Sequence, residues 1–295
     1  MIVAIPANRF SACALVVMQE WSLDSNEGIV LEIYVINLDK DVQRLHWMEQ
    51  QLTAHKLEYV RIAAVNGAQI HAQQDPYWSD PRRSHLGAAE TGCLLSHANA
   101  WRLIAQADGE HGLVLEDDIH VCDDFADLIR SMSLDPMEFC VHKLETFRAN
   151  VTLTRKPTYT ARNRRAHKLE TNHGGAGAYI LSKATASHLL SYVDSFDEAM
   201  DIELFDPNRR TIKNLTIYQW IPAPCIQDFL VGDSECKKSF VSNIGRDRYD
   251  VRLYSGKRSQ EYKKVLKSRL RTLYTKLYSA WLLPSGRMRT RIDFG

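Results

Sequence analysis

Long apolar runs, patterned cysteines and an excess of either charge are all missing from this chain of 295 residues. No run approaches the roughly 18 apolar residues that a membrane-spanning helix needs. The longest, residues 10–18, stops at Gln19 and Glu20 without a small-residue cleavage site, so it reads as a short extra helix or leader ahead of the first strand. The six cysteines (Cys13, Cys93, Cys122, Cys140, Cys225, Cys236) include no C-x-x-C pair. That excludes a zinc ribbon or a disulfide scaffold and points to reduced thiols in a cytoplasmic compartment. Lys plus Arg total 37 against 36 Asp plus Glu, a formal charge of +1, so the chain has no whole-molecule footprint for nucleic acid. No internal repeat or low-complexity tract appears. What remains is globular: 45% apolar and 25% charged, long enough for one large core or two smaller ones.

From Leu31 the sequence runs apolar and β-rich to Asn37, Leu38 and Asp39, as a buried strand does when it ends at a ligand-facing edge. Residues 41–55 have helical spacing, with Leu45, Met48 and Leu52 on one face and Asp39 or Asp41 placed to cap the start. Residues 59–64 read as a second strand, and 71–86, with two Asp-Pro steps, as a loop. A helix is expected over 88–107, carrying Cys93, Leu94, His97, Trp101 and Ile104 on one face. Strands follow at 112–119, 139–144, 178–181 and 217–224, with a helix at 183–192 and a loop or edge hairpin at 154–168. Strands alternating with helices predict an α/β domain with a mostly parallel central sheet and ligands at the carboxyl ends of its strands. Composition sets out an N-terminal extension over residues 1–30, a main domain over 31–250 and a basic amphipathic tail over 251–295.

Three residue groups carry chemical interest. Glu116, Asp117 and Asp118 close an apolar strand, where like charges repel and raise one another's pKa unless a hard divalent cation relieves them; a solvated turn or helix cap is the plain alternative. His173 to Gly177 lacks phosphate-loop spacing; its glycines permit either close approach to a ligand or a tight strand entry at positive φ. Asp201 and Glu203 follow the next helix and are candidates for a general base, although isolated acids are mostly just solvated. His97 is either a ligand or base, or a buried hydrogen-bonded histidine, and the cysteines read as core. In the tail, eight basic residues from Lys257 to Lys276 face a single acid, with Leu266, Leu270, Leu273 and Leu277 in helical register. That pattern suits either an anionic membrane surface or packing on the domain.

Four blocks in order, Tyr34-Val-Ile-Asn-Leu-Asp-x-x-x-x-Arg44, Glu90-Thr-Gly-Cys-Leu-Leu-Ser-His97, Leu115-Glu-Asp-Asp-Ile119 and Gly174-Gly-Ala-Gly-Ala-Tyr-Ile-Leu-Ser182 with Asp201 downstream, resemble glycosyltransferase family 25, the lipopolysaccharide and lipooligosaccharide galactosyltransferase family with relatives among collagen glycosyltransferases. The resemblance spans about residues 31–230 and implies a GT-A type nucleotide-sugar-binding fold and an inverting, Mn²⁺-dependent (or Mg²⁺-dependent) hexosyltransferase. It would move galactose from UDP-galactose to a lipopolysaccharide or lipooligosaccharide glycan. By the same resemblance, Asn37, Leu38, Arg44, Glu90, His97, Gly174 and Gly175 contact the donor. Glu116, Asp117, Asp118 and Asp228 (or Gln227) serve the metal, and Asp201, then Glu203, is the base. Arg162, Arg164 and Arg165 offer charge to an anionic acceptor or form a solvated loop. The implied location is the cytoplasm, peripheral at the anionic inner membrane. The rivals are a metal-dependent phosphohydrolase and a non-catalytic nucleotide-sugar or glycan-binding protein.

Overall fold

The computed structural model describes residues 31–72, 82, 85–209, 211–231 and 285–295. The extension over residues 1–30 and the basic stretch from Lys257 to Lys276 lie outside them. An eight-stranded sheet forms the centre, in the order β2 (Val60–Ala63), β1 (Leu31–Asn37), β3 (His111–Glu116), β10 (Ala178–Ser182), β5 (Cys140–Lys143), β11 (Thr216–Ile221), β9 (Arg164–Lys168), β8 (Tyr159–Ala161). Pairings β2–β1, β1–β3 and β5–β11 are parallel; β10 is antiparallel to both its neighbours, as β9 is to its own. Six strands therefore point one way and only β10 and β9 oppose them, so the expected α/β class with a mostly parallel sheet is what the chain forms.

Side chains alternate along the central strands, and each set meets a different helical layer. Ile33 and Val35 of β1, Leu113 and Leu115 of β3, and Ala178 and Ile180 of β10 pack with Met48 and Leu52 of α1 (Val42–Ala54) and with Phe125 and Leu128 of α4 (Phe125–Ser131). Tyr34, Ile36, Val114, Tyr179 and Leu181 face the opposite side, against Leu94, Trp101 and Ile104 of α3 (Ala88–Gln106) and Leu189 of α5 (Lys183–Leu190). Two short helices, α2 (Gly67–Ala72) and α6 (Met200–Phe205), complete the α-helices among the described residues.

Two expected strands split. The run expected over 112–119 turns at Asp117 and Asp118, and β4 (Ile119–Val121) leaves for a second sheet, β4-β12-β6, with β12 (Cys225–Gln227) and β6 (Glu145–Thr146). The run over 217–224 likewise ends at Ile221. Glu116 thus ends β3, and Asp117 and Asp118 form the turn between the sheets. Residues 154–168 form the edge hairpin, with Arg162 at φ 51° in the turn. Asp41 sits at the N-cap of α1 without capping through its side chain, and Asp39 is 2.6 Å from Arg61 instead.

The chain's last residues return to the domain. β13 (Arg287–Arg291) pairs antiparallel with β7 (Asn150–Thr154), and Ile292 is fully buried. Arg164, expected either to offer charge to an anionic acceptor or to lie in a solvated loop, is buried and bonds Asp124 through both terminal nitrogens at 2.8 and 2.9 Å and the Gly295 carbonyl at 3.1 Å; Arg162 also pairs with Asp124 and Asp127. These two arginines close the domain, because carboxylates on α4 and its cap meet them first.

Candidate active site

The carboxyl ends of β1, β3 and β5 lie side by side, and the amino end of the reversed strand β10 enters between the last two. Ile36 registers with Glu116. The Glu116 N–H donates to the Gly177 carbonyl at 2.8 Å, and the Leu144 N–H to the Ala178 carbonyl at 3.0 Å. Antiparallel insertion therefore brings the Gly174–Gly177 segment between Glu116 and Glu145.

Asp117 is held from β1 and α1. The Asn37 side-chain amide donates to it at 2.7 Å and Arg44 at 2.9 Å; Arg44 also lies 3.5 Å from Asp118. Burial raises Asp117 in spite of these partners; burial also opposes the Arg44 charge, but Asp118 and Asp117 outweigh it and hold the guanidinium above its usual value. Leu38 supplies the turn, its carbonyl accepting from the Asp41 N–H at 2.9 Å. Asn37, Leu38 and Arg44 are thus gathered at the same strand end as the acids.

Glu116 is held from α3 and β12. Its Oε1 is 3.2 Å from His97 Nε2 and 3.6 Å from Cys93 Sγ, and its Oε2 accepts from the Gln227 amide at 3.1 Å. Burial pushes this carboxyl up, but the bonds from His97 and Cys93 and the charge of Arg44 bring it below its usual value. His97 is fully buried; its Nδ1 lies 2.8 Å from the Tyr179 hydroxyl, which accepts from the Trp101 indole N–H at 3.0 Å. Asp118 has no such support. Burial, then Glu116, pushes it up to about 8.

Lys143 and Glu145, which the sequence reading passed over, are both fully buried. Lys143 Nζ donates to Glu145 Oε1 at 3.0 Å and also to the Gly175 carbonyl; the Gly177 N–H donates to the same carboxylate oxygen at 2.7 Å. Gly175 has φ 86°, and a Cβ there would stand 2.5 Å from Glu145 Oε1; one on Gly177 would stand 3.0 Å from both Glu145 Oε2 and the Gln227 amide nitrogen. The glycines admit the Glu145 carboxylate and the tight strand entry. A signal was present: Lys143 and Glu145, two apart at the end of an apolar strand, share a face.

Of the two base candidates, Asp201 reaches the cluster, its Oδ2 accepting from the Gly175 N–H at 3.1 Å. Glu203 accepts from the Asp197 and Glu198 N–H groups, both at 3.0 Å, and from Arg209 at 2.6 Å, and so secures the entry to α6. Glu90 reaches back to the Gly87 N–H at 2.9 Å, a helix-start bond. Asp228 is buried against His120 at 2.7 Å while its N–H donates to the Asp118 carbonyl at 2.8 Å, so it braces the acidic turn from behind.

Among the described residues, Asp118 Oδ1 and Glu145 Oε2 are buried oxygens with no hydrogen-bond partner. Two orphaned carboxylate oxygens, one on the acidic turn and one on Glu145 beside it, are the donor type a hard cation takes, so this cluster fits Mn²⁺ or Mg²⁺.

Glycosyltransferase family 25 (LPS biosynthesis protein) matches residues 30–204, more than half of the chain. The chain belongs to this family. Within glycosyltransferase family 25, the chain is 28% identical over 198 residues to the lipooligosaccharide biosynthesis protein lex-1 of Haemophilus influenzae, a match covering 63% of this chain and 62% of that protein. It is 23% identical to the lacto-N-neotetraose biosynthesis glycosyltransferase LgtE of Neisseria meningitidis, over 65% of this chain and 77% of LgtE. Human procollagen galactosyltransferase 2 is 32% identical, over 30% of this chain and 16% of its own length. A solved glycosyltransferase involved in glycosylation of the major capsid of PBCV-1 aligns with TM-score 0.38 and 10% identity, covering 74% of this chain and 97% of that one. No helix among the described residues is long and apolar enough to cross a membrane.

Proposed function

We propose that this family 25 chain is an inverting glycosyltransferase that moves a hexose, galactose from UDP-galactose, onto a lipopolysaccharide or lipooligosaccharide glycan. The observation that carries the reading is the buried acidic turn after β3, clamped by Asn37 and Arg44 and left with an unpartnered Asp118 oxygen. The similarity to the lipooligosaccharide biosynthesis protein lex-1 supports the acceptor class.

On this reading Asn37, Leu38 and Arg44 receive the nucleotide, with the Arg44 charge offered to the diphosphate. Glu116 and Asp118 hold Mn²⁺ or Mg²⁺, with Asp117 as the partner that orients Arg44. When bound, the cation stabilises the negative charge that develops on the leaving nucleoside diphosphate. Gly174 and Gly175 border the sugar. Asp201 takes the proton from the acceptor hydroxyl, whose oxygen bonds to the anomeric carbon opposite the departing diphosphate. The basic run from Lys257 to Lys276 draws the protein to the anionic inner leaflet from the cytoplasm, where the glycolipid acceptor lies.

The test is UDP release measured across a panel of UDP-sugars, with and without Mn²⁺ and truncated lipooligosaccharide, in wild type and Asp118→Ala. Metal-dependent, acceptor-stimulated release with one sugar, abolished in the variant, is expected. Release without acceptor would turn the reading toward a hydrolase. UDP binding without turnover of any sugar would leave a binding protein.

A further inference from the structure

Cys93 and His97 stand four residues apart on α3, so their side chains share a face one turn apart. Both meet Glu116 Oε1, His97 Nε2 at 3.2 Å and Cys93 Sγ at 3.6 Å. Their ligand atoms all lie within 4.8 Å of one another, and among the described residues no other three His, Cys, Asp or Glu side chains converge so closely. A tetrahedral zinc ion with bonds of about 2.3 Å to sulfur and about 2.0 Å to nitrogen and oxygen sets S···O and N···O edges of about 3.5 and 3.3 Å. The two separations in the protein differ from those edges by a tenth of an ångström or so. The third edge, Cys93 to His97, lies within 4.8 Å, so the three donors already converge on one point from a single helix face and the facing strand end.

The donor types agree with the spacing. Thiolate and imidazole select a soft or borderline cation, whereas Mn²⁺ and Mg²⁺ prefer oxygen alone. The far nitrogen of His97 is already met by the Tyr179 hydroxyl at 2.8 Å, itself fixed by Trp101. An oriented partner of this kind is what a metal-binding imidazole ordinarily has.

We infer that Cys93, His97 and Glu116 form a binding site for a zinc-type divalent cation, distinct from the hard-cation turn at Asp118 but sharing Glu116 with it. On binding, the aqua ion loses water as the sulfur, nitrogen and oxygen bonds form. The thiol proton leaves to solvent, and the imidazole keeps its one N–H on Nδ1, toward Tyr179. Three protein ligands leave a fourth position for water. Because Glu116 has a role in both sites, zinc bound here withdraws that carboxylate from the acidic turn and inhibits transfer. This consequence, unlike the site itself, rests on the proposed transferase reading.

The deciding experiment needs no sugar. The full chain, stripped with a chelator and exchanged into chelator-free buffer, is titrated with Co²⁺ alone and followed by absorbance. A thiolate-to-Co²⁺ charge-transfer band with tetrahedral d–d bands, saturating at one ion per chain and bleached by Zn²⁺, is expected. Cys93→Ala should lose the charge-transfer band and weaken Zn²⁺ binding at least about tenfold, while melting as a folded protein. No band in wild type would overturn the site, as would a band that survives in Cys93→Ala, since another cysteine would then be the ligand. In a second arm, Zn²⁺ added at fixed Mn²⁺ should suppress transfer by wild type and spare Cys93→Ala. Equal inhibition of both would overturn the shared-ligand consequence and leave the Co²⁺ result to judge the site.

Discussion

Asp118 owes its behaviour first to burial and then to the neighbouring Glu116 carboxylate. Its folded-state value of about 8, against 3.8 for a free carboxyl, means the cation-free folded protein keeps a proton that the unfolded chain releases. Stability from this group is therefore full below about pH 4 and declines as pH rises toward 8. In chelator, wild type should lose thermal stability across that interval relative to Asp118→Asn, and Mn²⁺ should restore it; parallel melting curves at every pH would refute the assignment. In transfer assays Asp118→Ala should lower kcat/KM at least about a hundredfold, as expected when several kcal/mol of charge stabilisation is withdrawn. The two acids of α6 should separate by kind of defect. Asp201→Asn should lower kcat with little change in donor KM, whereas Glu203→Gln, which weakens the Arg209 ion pair, should show first as a lower Tm.

At the scale of elements, the reversed strand β10 decides how the site is built. Gly175→Ala places a side chain at φ 86° and against the Glu145 carboxylate, which should cost about 1–3 kcal/mol in denaturant unfolding. Arg164→Ala removes the buried half of a bidentate pair whose partner is partly solvated, and should cost about 2–3 kcal/mol. Asp124, held down to about 2 by its bonds to Arg164, loses this contribution as pH falls from about 4 to 2. The α/β alternation and the helices over 41–55 and 88–107 were legible because each carries a long periodic face. Glu116, Asp117 and Asp118 were legible because three acids after an apolar strand break its pattern. Lys143 and Glu145 showed in the sequence only as two charged residues on one face; their enclosure depends on a strand about thirty residues later that runs backwards between β3 and β5. Arg164 looked solvated for a similar reason: its partners, Asp124 and the carbonyl of Gly295, are distant in sequence.

For the whole molecule, a net charge of +1 conceals an uneven distribution, with eight basic residues between Lys257 and Lys276. If that stretch holds the protein to a membrane, the full chain should sediment with vesicles containing anionic lipid and come free as salt rises. Reversing Lys263, Lys264 and Lys267 to Glu should abolish sedimentation and leave transfer to a soluble acceptor intact; unchanged sedimentation would remove this role. Residues 285–295 should be retained in any such variant, because β13 and Ile292 belong to the domain. The sheet order also dictates a sequence of events during synthesis. β2, β1 and β3 are complete once residue 116 has been made, but their next neighbour, β10, begins only at Ala178, and Gln227 comes later still. Until then β3 presents an open edge, and the growing chain must shield it or wait. The nascent protein thus carries its acidic strand end without an enclosure while residues 117–177 are made, and the enclosure is complete only once Gln227 has followed β10.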